Sequence, residues 1–302
     1  MQSGECLSSY PIEQVRTEET GMDSKKLTAC AVDPEHKNIV VAFEGGKVQV
    51  NNLHSGGLVY NEAENTMILD SEVSELRFFG DSCNFWFVAA CWEGRVAFFM
   101  ESQINRGRNY VKFQQSKGNH LKDVITLDIN DENSLATASV DNVISFWNTF
   151  VGMESKHFKF PRTLVKSEIN QNIYSIRFMR GKLHRYLIVV INTGQIYIMD
   201  CLKVQLLNYE EGEALQAMAV DYPSVDLHEK QNLLLSVSEY GLGRLQQFTV
   251  NPGDHAPRLF TITPHTEDFR VVQPGQIRLD PKAIVIKARF SKFHGQEVFM
   301  TA

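Results

Sequence analysis

The sequence predicts an all-β protein built from repeated units of short antiparallel strands. Within residues 119–148, three stretches alternate apolar and polar side chains, which is the period of half-buried strands: residues 124–129, 134–139 and 143–147. Two polar turns, residues 131–133 and Asp141-Asn142, separate them, and Asn142 tolerates the left-handed backbone that a tight hairpin needs. A residue suited to that turn recurs about every 50 residues, which indicates a repeat architecture. The recurring turn residues are Gly46, Gly94, Asn142, Gly194 and Gly243.

The same pattern can be traced on both sides of this central unit. We expect five full units and the first half of a sixth, at residues 27–53, 73–100, 120–149, 173–200, 215–250 and 283–302. The predicted strands of the other full units are residues 27–32, 39–43 and 47–51; 73–78, 85–90 and 96–99; 173–178, 186–191 and 195–199; and 215–220, 233–237 and 243–248. Residues 25–302 would form one repeat domain, and the polar residues 1–24 a linker or a stray strand from an upstream segment.

The last predicted unit stops before its tight turn. Residues 283–290 have the pattern of its first strand, and Phe299-Met300-Thr301-Ala302 matches Leu135-Ala136-Thr137-Ala138 of the central unit. A unit without its remaining strands exposes an unpaired strand edge and an apolar face. We therefore expect the sequence to be part of a longer protein, or to be completed by a missing segment or a partner.

Composition excludes several classes of function. The chain has 302 residues, 43% hydrophobic and 22% charged, as expected of a soluble globular protein. Its net charge of −6 gives no overall attraction to nucleic acid or an anionic membrane. The longest apolar runs, residues 86–91 and 187–191, fall far short of the ~20 residues of a membrane span, and the N-terminus has no secretory signal pattern. Five cysteines without a CxxC pair indicate reduced thiols in the cytosolic compartment and argue against a zinc site.

The hairpin of residues 135–148 ends in Trp147-Asn148, and it resembles a WD repeat, the unit that forms one blade of a WD-repeat β-propeller. The resemblance implies that four side chains hydrogen-bond in series: His120, Ser139, Asp141 and Trp147. Such a chain would satisfy a buried indole N–H and a turn carboxylate together.

The resemblance comes with two departures from the family pattern. Asn119 separates Gly118 from His120, where the family usually has Gly-His, and Asn148 replaces the closing aspartate. Propellers of this family usually have seven or eight blades, so five units and half of a sixth would form an incomplete ring.

Several motifs suggest chemistry, but their spacing favours structural roles. A Ser, a His and an Asp are present, yet they match the hydrogen-bond chain of the repeat and no GxSxG elbow accompanies them. Residues 128–139 lack the central glycine and closing glutamate of a calcium loop. The glycines of residues 44–47 and 240–243 lack the spacing or the following helix of a nucleotide-binding loop. We therefore predict no enzyme activity, no metal and no cofactor.

Two basic stretches are candidate contacts for an acidic protein partner. Residues 101–117 read as a long exposed loop leading into His120, residues 152–172 as a second polar connection, and further basic residues surround a turn of the fourth unit. Local charge can attract an acidic surface although the whole chain is acidic. The plainer alternative is that these side chains are only solvated. The candidate contact residues are Arg106, Arg108, Lys112, Lys117, Arg180, Lys182 and Arg185.

The chain resembles a group of axonemal, cilia- and flagella-associated WD-repeat proteins over residues 73–101, the insertion that follows and residues 120–152. Residues 173–200 continue the likeness, which spans residues 27–250 and extends weakly to the end. It implies a non-catalytic scaffold on ciliary doublet microtubules, near dynein arms and their regulators, within a protein of two tandem propellers. It also implies axonemal protein partners, without nucleic acid or membrane. The alternative is a cytosolic adaptor propeller of a ubiquitin-ligase or trafficking complex.

Overall fold

The computed structural model describes residues 26–59, 67–80, 85–102, 109–161, 171–207, 215–216, 224–228, 233–238, 242–250, 260–264, 269–270, 288–293 and 296–301. Within these ranges 24 strands form antiparallel sheets, and helical residues are confined to two 3-10 turns, Trp92–Gly94 and Gly181–Leu183. In this described part of the chain, no helix has the length and apolar character to cross a bilayer. The predicted all-β class is confirmed.

Three four-stranded sheets make up one compact unit of the chain. In each sheet the strands lie side by side in chain order, so every neighbouring pair is antiparallel. The first sheet contains β1 (Leu27–Val32), β2 (Asn38–Phe43), β3 (Lys47–Asn52) and β4 (Met67–Ile68). The second contains β5 (Val73–Gly80), β6 (Phe85–Cys91), β7 (Val96–Ser102) and β8 (Asn109–Ser116). The third contains β9 (Val124–Ile129), β10 (Ser134–Ser139), β11 (Val143–Asn148) and β12 (Met153–Lys159).

The second compact unit holds the remaining strands together with the turn Asn130–Glu132. Its fourth sheet contains β13 (Ile173–Phe178), β14 (Tyr186–Ile191), β15 (Gln195–Asp200), β16 (Gln205–Leu206) and β17 (Leu215–Gln216). The fifth contains β18 (Ser224–Leu227), β19 (Leu233–Val237), β20 (Leu242–Val250), β21 (Phe260–Pro264) and β22 (Phe269–Arg270). A two-stranded sheet of β23 (Ala288–Phe293) and β24 (Gln296–Thr301) follows.

The tight turn, between the second and third strands of a sheet, sets the register of each hairpin. Four of the five predicted turn residues have the expected positive φ: Gly46 (79°), Gly94 (79°), Asn142 (63°) and Gly194 (82°). The fifth prediction, Gly243, is wrong. β20 already begins at Leu242, and Gly243 lies inside it, opposite Val237 of β19 and Phe269 of β22.

The hydrophobic core lies between neighbouring sheets. One cluster joins the first and second sheets through Val40, Val50, Phe87 and Phe99. Another joins the second and third through Val88, Phe98, Leu127 and Trp147, and a third joins the fourth and fifth through Ile188, Ile198, Val225 and Leu234. Both faces of the middle strands are therefore buried, and this explains why β6 and β14 are continuously apolar instead of alternating.

Each of the first three sheets ends in an outer strand that the three-strand pattern missed. The predicted loop at residues 101–117 is largely strand, because β7 continues to Ser102 and β8 spans Asn109–Ser116. The polar connection predicted at residues 152–172 begins with β12. β12 has at most one half-buried residue in any three consecutive positions, so it carries little of the alternation that reveals a strand.

The predicted start of the fifth unit is also corrected. Leu215 and Gln216 pair with Ile196 and Gln195 at the edge of the fourth sheet, and the fifth sheet begins with β18. At the end of the chain, β23 pairs with β24. The strand predicted at residues 283–290 is observed from Ala288 to Phe293, and residues 283–287 lie outside the described ranges. Residues 1–24, predicted as a linker, lie outside the described ranges.

Candidate functional site

His120, Thr137 and Trp147 form a buried hydrogen-bond chain in the third sheet. Trp147 Nε1 donates to Thr137 Oγ1 at 2.7 Å, and His120 Nε2 lies 2.7 Å from the same oxygen. With the proton on His120 Nε2, both rings donate to Thr137, whose hydroxyl donates to the Ser145 carbonyl at 3.4 Å. All three side chains are buried, so the chain satisfies groups that packing would otherwise leave unpaired.

The sequence placed Ser139 in this chain, and the structure places Thr137 there instead. Ser139 Oγ donates to the Lys122 carbonyl at 3.0 Å, and Ser139 lies at a register irregularity between β10 and β9. The Asp141 carboxylate accepts the backbone N–H groups of Leu121 at 2.8 Å and Val143 at 3.1 Å. Ser139 and Asp141 therefore hold the loop before β9 and the tight turn after β10.

The geometry around His120 is structural. Burial lowers the pKa of His120 from 6.5 to about 4, because loss of hydration outweighs the attraction of Asp141 and Glu154 for the charged ring. A histidine that activates a serine must hydrogen-bond to it. Here His120 contacts Thr137, its Nδ1 is buried without a hydrogen-bond partner, and the Ser139 hydroxyl is bound to a carbonyl.

A second repeated device caps the outer turn, the turn that follows the third strand of a sheet. The last residue of that strand is Asn52, Asn148 or Asp200, and its side-chain Oδ1 accepts the backbone N–H groups two and three residues later. The donors are His54 and Ser55, Phe150 and Val151, and Leu202 and Lys203, at distances from 2.9 to 3.4 Å. The sequence signal was present, since Asn or Asp recurs at one repeat position, and Asn148 here does the work of the replaced aspartate.

The predicted basic contacts divide into two groups. Arg180 pairs with Asp131 at 3.9 Å, and Arg185 pairs with the buried Asp200 at 3.1 Å while its guanidinium stacks over Tyr186. Both arginines are thus engaged within the chain, which counts against their role as partner contacts. The side chains of Lys112, Lys117 and Lys182 are exposed. Arg106 and Arg108 lie outside the described residues.

An exposed apolar surface, here the aromatic patch, was missed by the sequence analysis. It includes Phe150 and Val151 of the outer turn and Met153, the first residue of β12, which are 64%, 53% and 61% exposed. Phe150 contacts the half-buried Trp86, with ring centroids 6.0 Å apart, and Trp86 contacts Phe113 at 5.4 Å. The available signal was the apolar pair Phe150-Val151 in a turn, separated from Trp147-Asn148 by Thr149 alone.

Within the ranges given above, no group of three or more His, Cys, Asp or Glu side chains is placed to hold a metal ion. Burial raises the pKa of the Cys91 thiol to about 12, so this thiol is protonated at neutral pH.

Comparison with known proteins supports the fold. No protein-family model matches the chain, and no curated protein does. Among solved structures, 1514 chains match, so the likeness selects a widespread fold and no single activity. One is a chain of a structure described as "Crystal Structure of Mitotic Checkpoint Complex", with a TM-score of 0.59 and 11% identity over 88% of this chain and 68% of that chain. Together with the five antiparallel sheets of four or five strands in the described residues, this likeness supports a WD-repeat-like β-propeller fold.

Proposed function

We propose that this protein is a non-catalytic scaffold of the ciliary or flagellar axoneme, which presents its loops to microtubule-associated and dynein-regulatory proteins. The observation that carries the proposal is the resemblance of residues 73–101 and 120–152 to axonemal WD-repeat proteins. The fold is compatible with it, since propellers commonly serve as interaction platforms, but fold alone does not choose a partner.

The physical support for a scaffold role is the contrast between fixed sheets and variable turns. The cores between sheets bury both faces of the middle strands, and the outer turns are held by a side-chain cap whatever their tip residues are. Loops held on such a frame bind with little loss of conformational entropy. Exposed Lys112, Lys117 and Lys182 supply positive charge for acidic partner surfaces.

Localisation and extraction of the full-length protein in ciliated cells test the proposal. We expect a tagged protein to remain with the axoneme after detergent removes the membrane, and to be released only at raised salt, because charged contacts between exposed groups are screened. A tagged cytosolic protein without ciliary targeting provides the background. A diffuse cytosolic distribution with no ciliary retention would overturn the axonemal role and favour the adaptor alternative.

A further inference from the structure

We propose that one end of the second and third sheets, where their tight turns lie, is a docking surface for a basic segment of a partner protein. This surface, here the Trp92 surface, consists of residues 70–72, 92–95, 120–123 and 141. The inference takes from the proposed function only the role of a scaffold, and it does not depend on a ciliary location. It rests on two exposed apolar side chains, on the carboxylates fixed beside them, and on the backbone of one tight turn.

Two large apolar side chains of the Trp92 surface are exposed although their backbones are held in place. Trp92 is 46% exposed, its N–H donates to the Glu72 carbonyl at 2.9 Å, and its carbonyl accepts the Ser71 hydroxyl at 3.0 Å. Leu121 is 85% exposed, and its N–H donates to the Asp141 carboxylate at 2.8 Å. Tryptophan is enriched among the residues that anchor protein interfaces, and a fixed backbone lowers the entropy lost on binding.

The tight turn of the second sheet packs directly against the loop before β9. A Cβ added to Gly94 would lie 2.6 Å from the His120 carbonyl oxygen, and the Glu93 N–H donates to the Asp123 carboxylate at 2.9 Å. Both segments belong to the same compact unit of the chain. The apolar residues and the charges beside them therefore form one continuous surface.

Negative charge dominates the Trp92 surface. Its residues include two bases and five carboxylates, which are Asp70, Glu72, Glu93, Asp123 and Asp141. Asp123 and Asp141 accept hydrogen bonds from backbone N–H groups, and these neutral donors leave the charge of both carboxylates in place. Of the two bases, Arg95 pairs with Asp70 and Glu93 inside the surface, and Lys122 is exposed. The remaining charge attracts a basic partner and repels nucleic acid and anionic lipid.

Further lysines flank the surface without belonging to it. Lys47 pairs with Ile68 and Lys159 with Val143, on strands that lead away from the surface, and Lys117 precedes the loop before β9. These positive charges are peripheral. An arginine or lysine of the partner is therefore best placed at the centre, where the cation can also contact the exposed indole face of Trp92.

Glu93 occupies a backbone position that disfavours a side chain. Its φ is 59°, and the corresponding residue of the first sheet is Gly45, with a φ of 83°. Each is followed by a glycine with a φ of 79°, Gly46 or Gly94, so the two turns have the same form. A left-handed backbone is strained for a residue with a Cβ, and such strain is common where a side chain serves binding. The turn thus holds a carboxylate next to Trp92 although glycine would fit its backbone better.

Selection from a phage-displayed library of random peptides tests the inference. The purified full chain is immobilised at physiological salt, and binders are counter-selected against Trp92→Ser. We expect enrichment of sequences in which Arg or Lys stands next to large apolar residues. A fluorescent copy of an enriched peptide should bind Trp92→Ser about tenfold more weakly than the wild type, as expected on losing one anchor residue.

Glu93→Gly separates binding from folding. Because it relieves the strained backbone, its melting temperature should equal or exceed that of the wild type. Loss of the carboxylate should nevertheless weaken peptide binding several-fold and reduce its dependence on salt. Phe150→Ser is the matched control, since Phe150 is an aromatic residue that is 64% exposed beyond the opposite end of β11. It should leave peptide binding unchanged.

Three results of the peptide assay would overturn the proposal: no enrichment, enrichment of acidic peptides, or wild-type affinity in both Trp92→Ser and Glu93→Gly. A dimer in sedimentation that Trp92→Ser dissolves would also overturn it, since the occupant would then be a second copy. The peptide assay uses purified protein, so its failure is distinguishable from failure of the localisation experiment in ciliated cells.

Discussion

At the scale of single residues, one hydroxyl holds two rings. Thr137 Oγ1 is the shared partner of the His120 imidazole and the Trp147 indole, and all three are inaccessible to water. Water therefore cannot replace a lost partner, and the energetic weight of the hydroxyl exceeds that of an ordinary exposed hydrogen bond.

Substitution of Thr137 measures how much its hydroxyl contributes to the free energy of unfolding. Thr137→Val keeps the side-chain shape but removes the oxygen, so the buried donors of His120 and Trp147 lose their partner, and we expect the free energy of unfolding to fall by about 2–4 kcal/mol. Thr137→Ser keeps the hydroxyl and should cost less. Denaturant unfolding followed by tryptophan fluorescence gives both values. Equal losses for the two variants would show that the hydroxyl contributes no more to stability than the methyl group does.

The buried His120 should make stability depend on pH. Its pKa is about 4 in the folded chain and 6.5 when exposed, so the unfolded chain binds the extra proton between these values. Its contribution is fully present above pH 6.5 and is lost as pH falls toward 4, a loss on the order of 3 kcal/mol. Unfolding curves at several pH values should show a steeper decline in this window for the wild type than for His120→Gln. Parallel declines would mean that other groups set the acid sensitivity.

The sequence identified the two ends of this hydrogen-bond chain, His120 and Trp147, but not its middle residue, Thr137. His120 and Trp147 stand at positions that the repeat pattern identifies, whereas Thr137 and Ser139 are both small hydroxyl residues two positions apart on β10. Choosing between them needs the pairing of β10 with β9, which shifts register between Ala138 and Ser139. Register arises from long-range contacts, so no local pattern contains it.

At the scale of elements, the tight turns combine two different demands on glycine. Gly45 and Gly46 both have positive φ, at 83° and 79°. A Cβ on Gly45 would meet nothing within 4 Å, but one on Gly46 would lie 2.3 Å from the Leu69 carbonyl oxygen. Backbone conformation matters at the first position, and both conformation and space at the second.

Alanine at each position separates these demands. Gly45→Ala should lower the free energy of unfolding by about 1 kcal/mol, the cost of a left-handed backbone with a Cβ. Gly46→Ala should cost about 3 kcal/mol or more, because the backbone at Leu69, directly after β4, must also move. Chemical denaturation of both variants provides the comparison. A similarly small loss of unfolding free energy in both variants would show that β4 can shift at little energetic cost.

The backbone conformation of the outer turns identifies one substitution that should stabilise the protein. The position four residues after the cap has positive φ in three sheets: Gly56 (74°), Gly152 (65°) and Val204 (54°). A β-branched residue is strained there. Val204→Gly should raise the free energy of unfolding by about 0.5–1 kcal/mol after allowing for the more flexible unfolded chain. Val204→Ala retains a Cβ and should not reproduce the gain. A lower melting temperature for Val204→Gly would show that the packing of the valine outweighs the strain.

The outer strands show why some elements escape prediction. The inner three strands of a sheet lie between hydrophobic clusters and carry apolar residues at regular positions, so their pattern predicts them. β8 and β12 have one neighbour strand each and mostly exposed or half-buried side chains. Their strand conformation follows from pairing with β7 and β11 more than from their own sequence.

At the scale of the molecule, stability belongs to the interfaces between sheets. In the first compact unit, residues of the first and second sheets share one cluster, in which the Phe87 and Phe99 rings stack at 4.4 Å. Side-chain bonds cross between sheets as well, such as Leu127 N–H to Glu75 at 3.0 Å. Repeat proteins of this kind gain much of their stability from contacts between nearest neighbours.

A substitution that destabilises one sheet should therefore destabilise the neighbouring sheet as well. Gly46→Ala lies in the first sheet, and amide hydrogen exchange should show faster exchange in β6 and β7 of the second sheet as well as in β2 and β3, because the shared cluster loosens. The third sheet should change less. Faster exchange confined to the first sheet would show that the sheets open independently. Gly45→Ala, with its smaller cost, is the control.

Repetition also explains how the whole fold was predictable when the aromatic patch was not. Recurring turn residues identify an architecture even when single strands are misplaced, since each unit is read against the others. The patch is defined by what one sheet does differently, and the closeness of Trp86 to Phe150 depends on two sheets packing together. Differences between repeats carry no periodic signal.

The cap of the outer turn also makes the tips interchangeable. Since Asn52, Asn148 and Asp200 hold the same backbone bonds with tips as different as His-Ser, Phe-Val and Leu-Lys, a tip can be transplanted as a cassette between sheets. Placing Phe and Val at positions 202 and 203 would give the fourth sheet an exposed apolar tip without changing the residues that form the turn. Each capped sheet therefore has, at one edge, a short surface segment whose sequence can be changed while the turn is kept.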